Sequence, residues 1–144
     1  MRKLSFAILV AAALSCASAL AAEQLNVIEH AKSDATAHVG PGPDNRGDVL
    51  TWTNDVFDAA DKTKVGTDQG FCIRVAVGKA YECSWTNTLA GGQIMVEGPF
   101  YDAGDSVLAV TGGTGKYAGV GGQVTLHARN AKGTEYDFRF ALTH

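Results

Sequence analysis

The chain has 144 residues, a formal net charge of −3 and no basic block, which makes nucleic acid and acidic membrane surfaces poor partners. Its 17 glycines accompany 46% hydrophobic residues, so the composition indicates a turn-rich folded protein and not a low-complexity chain. This length suits a single domain.

The amino terminus has the three parts of a secretory signal peptide. A basic pair follows Met1, the apolar run LSFAILVAAAL comes next, and a small-x-small cleavage signal ends at Ala21. We therefore expect residues 1–21 to be a signal peptide and residues 22–144 to form one domain that is secreted or periplasmic, without stable membrane insertion. A retained membrane anchor and lipidation at Cys16 are the alternatives.

Eight segments show the period-two alternation of β-strands between clusters of Gly, Asp, Asn or Pro. Short spacings between them favour antiparallel neighbours, because parallel pairs need long crossover connections. The predicted fold is all-β, an eight-stranded antiparallel β-barrel, with a sandwich as the alternative; such a barrel can hold packed side chains or one small ligand. The predicted strands are 24–31, 48–57, 69–77, 80–89, 93–98, 106–111, 117–128 and 134–142.

The glycine-rich sequence TGGTGKYAGVGG invites a phosphate-loop interpretation, but its spacing matches neither GxGxxG nor GxxxxGK[ST]. The segment that follows it, QVTLHAR, is typical of a strand and not of the helix that a phosphate loop requires. The glycines are better explained by a tight turn and by a bulge or sharp bend at Gly121-Gly122.

Two polar residues fall on strand faces that are otherwise apolar. Glu29 shares a face with Leu25 and Val27, and Asn54 shares a face with Leu50 and Trp52. A buried carboxylate costs several kcal/mol unless it is paired, protonated or reached by water. The two residues are therefore either a satisfied core pair or the polar end of an apolar small-molecule pocket.

Another strand carries a mixed face with Tyr81, Cys83 and Trp85, which either lines a cavity or packs the core. Cys72 and Cys83 flank a hairpin, and in an oxidising compartment such a pair predicts a disulfide; a free Cys72 facing a ligand is the alternative. Arg74 shares a face with Cys72, so an inward Arg74 could pair with Glu29 or bind an anionic ligand.

The sequence context of the histidines, cysteines and serines disfavours a metal site and a hydrolase triad. The four histidines and the cysteines lack metal-ligand spacing, so we expect no metal. The serines have no glycine-elbow context, which disfavours a hydrolase triad.

Three motifs resemble the allene oxide cyclase family, within the wider group that contains dirigent proteins. They are GDVLTWTNDVF, VGTDQGFCIRV and VEGPFYDAGDSVLAVTGGTGKYAGVGGQVTL, and the likeness runs from about Leu25 to Leu142. The resemblance implies an eight-stranded barrel that is often trimeric, with an apolar cavity and no metal or organic cofactor. The family's plant enzymes cyclise an unstable allene oxide by holding it in a ring-closing conformation, which is catalysis by proximity and preorganised electrostatics.

The resemblance also implies roles for individual residues. Glu29 falls at the carboxylate that stabilises a developing cation, Asn54 at an amide that anchors a water, Trp52 at an aromatic wall, and Cys72 beside the substrate. Phe100 stands where the family has a tyrosine. The sequence departs from the family in the loop after the first strand, where ATAHVGPG replaces the residues that help to hold the water.

Our leading hypothesis is an exported, cofactor-free cyclase or isomerase that acts on a small hydrophobic or aromatic ligand in the barrel lumen. The catalytic pair would be Glu29 and Asn54. The alternative is a non-catalytic or dirigent-like protein that orients a reactive intermediate made elsewhere, and a structural domain with a filled lumen is the third. The expected substrate-binding residues are Trp52, Cys72, Arg74, Tyr81, Trp85 and Phe100.

Overall fold

The computed structural model describes residues 22–144, so the expected signal peptide and Cys16 lie outside the described residues. Nine strands form one antiparallel sheet in the order β1-β9-β8-β7-β6-β5-β4-β3-β2, and an additional pairing of β1 with β3 closes it. The predicted closed eight-stranded barrel is thereby confirmed, with β2 as an extra short strand on β3. The strands are β1 Glu23–His30, β2 Ala35–Ala37, β3 Val49–Asp58, β4 Lys64–Ala76, β5 Ala80–Leu89, β6 Gly92–Tyr101, β7 Ser106–Gly113, β8 Gly121–Ala128 and β9 Glu135–Thr143.

Alternating side chains of the barrel strands point inward and form the core. Each of the eight barrel strands therefore contributes alternate residues to the core, as the sequence pattern predicts, whereas the short strand β2 contributes none. No helix among residues 22–144 is long and apolar enough to cross a membrane. The largest fully buried hydrophobic side chains are Phe138, Phe140, Ile94, Leu108, Leu142, Val56, Val96 and Val124.

The sequence pattern predicts a continuous strand over residues 117–128, and this prediction is wrong at its start. A 3-10 turn spans Gly115–Tyr117, and β8 begins only at Gly121. The segment folds over one end of the barrel, where the backbone N–H of Lys116 donates to the carbonyl of Gly91 at 2.9 Å. Tyr117 and Val120 are buried there and join the core.

A bend at Gly122 lets β8 approach β9, as the glycine pair predicts. Gly122 has φ +110°, and a Cβ atom there would lie 2.1 Å from the carbonyl oxygen of Ala141. Only glycine fits both the dihedral angle and the close approach.

Strand β4 begins five residues before the predicted start at residue 69. It begins at Lys64 because Gly66 passes close to the backbone of β5, where a Cβ atom would lie 2.1 Å from the carbonyl oxygen of Thr88. The extension places Asp68 inside the barrel, directly opposite Asn54 of β3 and Asn87 of β5. The start of this strand therefore decides the composition of the lumen.

Candidate functional site

A cavity of about 60 Å³ lies in the barrel between its core and the end at which β1 finishes and β9 begins. This space suffices for a few water molecules. Its walls are mainly apolar, with carboxyl groups on one side. The lining residues are Glu29, Asp34, Leu50, Trp52, Cys72, Cys83, Trp85, Phe100, Leu126, Tyr136 and Phe138.

The structure brings Glu29 and Asn54 together inside the barrel, on neighbouring strands β1 and β3. Glu29 is 6% exposed and Asn54 is 3% exposed. The Asn54 Nδ2 group donates to Glu29 Oε1 at 2.7 Å and to Asp34 Oδ1 at 2.9 Å. One amide thus holds two carboxyl groups in place, the second of them on the loop after β1.

The other half of the Asn54 amide fastens that loop. Its Oδ1 atom accepts from the backbone N–H groups of Lys32 and Ser33 at 3.1 and 3.0 Å, and from the Ser33 hydroxyl at 2.9 Å. Because both Nδ2 hydrogens and the Oδ1 atom have protein partners, this amide is built to position Glu29 and the loop. The sequence pattern did not indicate Ser33 or Asp34 as members of the site.

Asp68 is a third carboxyl group of the lumen, and sequence reasoning missed it. It is fully buried, and its Oδ2 atom accepts from the Trp52 indole N–H at 3.0 Å. The sequence does contain a signal for it, because period-two alternation from Cys72 back through Gly70 places residue 68 on the inward face. The predicted strand began one residue too late to include it.

Burial controls the protonation of these acids, because desolvation disfavours a charged carboxylate. Burial raises the pKa of Glu29 well above its ordinary value, and the negative charge of Asp68 raises it further. Burial also raises the pKa of Asp68 to about 7, although hydrogen bonds from Trp52 and Glu29 act in the opposite direction. Burial, with the charges of Glu29 and Asp34, raises the pKa of Tyr136 to about 12. Burial therefore favours the protonated, uncharged form of Glu29.

The predicted disulfide between Cys72 and Cys83 is present, and a free Cys72 facing a ligand is excluded. The two residues are cross-strand partners in β4 and β5, and both are buried. Both line the cavity, so the sulfur atoms form part of its wall.

Aromatic rings form the rest of the cavity wall, as predicted for Trp52, Trp85 and Phe100. The rings of Trp52 and Trp85 pack with centroids 6.2 Å apart. Gly70 gives Trp85 its space, because a Cβ atom at residue 70 would lie 2.3 Å from the Cβ of Trp85. The two tryptophans of the chain therefore both border the cavity.

A second space of about 160 Å³ adjoins the cavity toward the barrel mouth. The two spaces share Phe100, Leu126 and Tyr136, and the rings of Phe100 and Tyr136 meet edge to face at 5.8 Å. Ligand pockets usually measure about 300–1,000 Å³. The cavity alone is smaller than that, and Phe100 and Tyr136 line both spaces.

Arg74 lies away from the cavity lining and does not pair with Glu29. Its Nε atom lies 2.7 Å from Asp44 Oδ1, its Nη1 atom lies 2.6 Å from Asp102 Oδ1, and its guanidinium carbon lies 3.6 Å from the centroid of the Tyr81 ring. Two carboxylates already pair with this buried cation, so the expected pairing of Arg74 with Glu29 is corrected. Tyr81 packs on Arg74 at the rim and likewise does not line the cavity.

Within residues 22–144, no group of three or more His, Cys, Asp or Glu side chains has an arrangement that could hold a metal ion. The carboxyl groups of the lumen are instead tied together through the Asn54 amide and the Trp52 indole. The arrangement can hold an uncharged molecule against aromatic walls and present a protonated carboxyl group to it.

Solved structures with the same barrel support this description of the fold. Pyocyanin demethylase is 24% identical over 84% of this chain and 100% of its own length, with a TM-score of 0.71. The pterocarpan synthase dirigent protein PsPTS1 is 14% identical over 83% of this chain and 92% of its own, with a TM-score of 0.64. The Diels-Alderase AbmU from Streptomyces koyangensis is 14% identical over 84% and 68%, with a TM-score of 0.66.

The family comparison agrees with the sequence motifs. Residues 23–131 match the family described as "Allene oxide cyclase", which covers all but the last strand of the barrel. The resemblance seen in the motifs is confirmed, and this chain belongs to the allene oxide cyclase family.

Proposed function

We propose that this protein is a cofactor-free isomerase or cyclase that acts on a small apolar or aromatic molecule in the barrel lumen. The observation that carries the proposal is the Glu29 carboxyl group, which borders an apolar cavity and is held at 2.7 Å by the Asn54 amide. A fixed acid in a water-poor cavity is the arrangement that electrostatic preorganisation requires. Family membership supports the same class of reaction.

The protonation of Glu29 defines the chemistry that we propose. Because burial raises its pKa, the protonated carboxylic acid is the form that we propose meets the ligand. It would donate a hydrogen bond or a proton to an oxygen or nitrogen atom of the ligand, and the carboxylate that results would balance a developing positive charge. Buried acids of this kind serve as general acids in several enzymes.

The aromatic walls supply the second part of the proposed catalysis. Trp52, Trp85 and Phe100 would restrict a flexible or planar ligand to a compact conformation next to Glu29. Orientation of this kind converts binding into a lower barrier for an intramolecular reaction.

We also propose that the protein is exported. The disulfide between Cys72 and Cys83 supports this, because disulfides persist mainly in oxidising compartments. Analysis of the mature amino terminus by mass spectrometry tests it, with cleavage after Ala21 as the expected result.

A homotrimer is a further part of the proposal. Phe71, Ile73 and Val75 on the outer face of β4 are 47%, 42% and 40% exposed, and this apolar surface supports association of subunits. Sedimentation of the purified protein tests the oligomeric state, and a monomer at micromolar concentration contradicts it.

Turnover by variants tests the catalytic role. The parent, Glu29→Gln and Asp34→Asn are screened against small cyclisable and tautomerisable aromatic molecules. Glu29→Gln keeps an oxygen atom that can accept from Asn54 but removes the acidic proton. Loss of the acid should therefore lower turnover by about 10²–10⁴-fold. Asp34→Asn is the matched control, because it alters the exposed partner of the same amide. Equal product yield from Glu29→Gln and the parent contradicts the proposal.

A dirigent-like binding protein is the second candidate, favoured by the shared fold with PsPTS1. Such a protein would bind and orient a reactive molecule without proton transfer. Ligand binding can be followed by the fluorescence of Trp52 and Trp85, since both border the cavity. Binding by the parent and by Glu29→Gln with equal affinity, together with unchanged stereochemical outcome in a coupled reaction, would favour this second candidate.

A further inference from the structure

The side chain of Asp68 is a buried acid without a cationic partner. Its Oδ2 atom has the Trp52 indole N–H, while its Oδ1 atom has no hydrogen-bond partner in the described structure apart from the neighbouring Glu29 carboxyl. The amide of Asn87, directly across the β4–β5 ladder, is fully buried and has no partner either. Burying a charged carboxylate in such surroundings is costly unless a proton is shared.

The surroundings of Asp68 contain acids and neutral groups on every side. The titratable groups that face it and Glu29 are Asp34 from the loop after β1 and Tyr136 from β9. The neutral groups are Asn54 and Trp52 from β3 and Asn87 and Trp85 from β5.

Cations of the neighbouring elements are engaged elsewhere. Arg74 of β4 pairs with Asp44 and Asp102, and the ring of His30 bonds Asp61 on the outer side of β1. The cavity lining contains no Lys, Arg or His residue among positions 22–144. A proton is therefore the positive charge available to this cluster of acids.

We propose that Asp68 shares a proton with Glu29 and positions it, and that the substrate is an uncharged molecule which isomerises by a proton shift. This inference rests on the proposed function and names its reaction class. Asp68 does not line the cavity, so it acts through Glu29 as a positioning residue. Asn54, which donates to Glu29, is also the cross-strand partner of Asp68, and burial raises the pKa of both acids.

The proposed step conserves protons and electrons. The Glu29 carboxylic acid gives its proton to a carbonyl oxygen or ring nitrogen of the ligand. The resulting Glu29 carboxylate, held by Asn54 and Asp68, then removes a proton from a carbon of the same ligand. The pair ends with the protons that it had at the start, and the ligand leaves as its isomer without oxidation or reduction.

The tryptophan indoles supply a direct measurement. The chain has two tryptophans, of which Trp52 donates to Asp68 and Trp85 has no partner for its Nε1 atom. In ¹H–¹⁵N spectra from pH 5 to 9, the Trp52 indole resonance should titrate with a midpoint near neutrality, and the Trp85 resonance should move several-fold less. The Trp52 titration should vanish in Asp68→Asn and persist in Asp34→Asn.

A Trp52 resonance that does not titrate between pH 5 and 9, or that titrates unchanged in Asp68→Asn, overturns the proton-sharing pair. This readout needs no turnover, so it is independent of the Glu29→Gln screen. The ligand class is tested with acetophenone and benzoate at pH 8, followed by the same two resonances. Acetophenone should bind at least ten-fold more tightly; equal or tighter binding of benzoate, or no response to acetophenone, contradicts an uncharged substrate.

Discussion

Replacement of Asp68 by Asn should stabilise the protein above neutral pH. The pKa of Asp68 is raised from 3.8 to about 7 by burial, so between these values the folded state binds a proton that the unfolded state has lost. The free energy of unfolding therefore falls as pH rises through this window. At about 1.4 kcal/mol for each pH unit, the loss reaches about 4 kcal/mol at pH 8.

The Asn variant removes that loss while keeping the local contacts. Its amide oxygen can still accept from the Trp52 indole, which donates to Asp68 at 3.0 Å in the parent. We expect parent and variant to be similar in stability near pH 4.5, with the variant more stable by up to about 4 kcal/mol at pH 8. Glu29 contributes a slope of the same sign in both proteins, because its pKa is also raised.

Urea unfolding followed by tryptophan fluorescence measures this difference, with the disulfide intact and the pH set between 4.5 and 8. Asp34→Asn is the control, since Asp34 is exposed: its charge helps to raise the pKa of Asp68, but the buried Asp68 carboxyl remains, so the free energy of unfolding should still fall as pH rises. A difference in the free energy of unfolding between Asp68→Asn and the parent that is the same at every pH would contradict the raised pKa of Asp68.

Three further predictions concern stability. Gly70→Ala should lower the thermal midpoint and shift tryptophan emission, because the new Cβ would lie 2.3 Å from the Cβ of Trp85; an unchanged midpoint contradicts this. Replacing both Cys72 and Cys83 by Ser should cost about 3 kcal/mol in urea unfolding, as expected for a short closed loop, and a cost near zero would refute it. Asp48→Asn should speed amide exchange in the loop before β3 above pH 4. Hydrogen bonds from that loop outweigh burial and lower the pKa of Asp48, so its contribution is present above its unfolded pKa and lost as pH falls through the folded value.

Period-two alternation was sufficient to predict the barrel and the inward direction of Glu29 and Asn54. It succeeds because each barrel strand has one apolar face, and a shift by one residue would exchange the two faces. The hairpin between Cys72 and Cys83, together with the expected oxidising compartment, was sufficient to predict the disulfide. These features depend on local pattern and on pairing between consecutive strands.

Contacts between distant segments could not be predicted in the same way. Arg74 lies on the same face as Cys72, yet its position is decided by Asp44 and Asp102 from two separate loops. Asp68 was missed because Gly66 and its polar neighbours look like a turn, whereas the chain there is a strand that passes close to β5.

The glycine-rich segment covers one end of the barrel and so limits how a molecule can reach the lumen. Tyr117 and Val120 occupy that end, while the cavity adjoins the opposite mouth at Phe100 and Tyr136. The cavity is therefore closed at one end, so a molecule that enters the lumen has to leave by the same mouth.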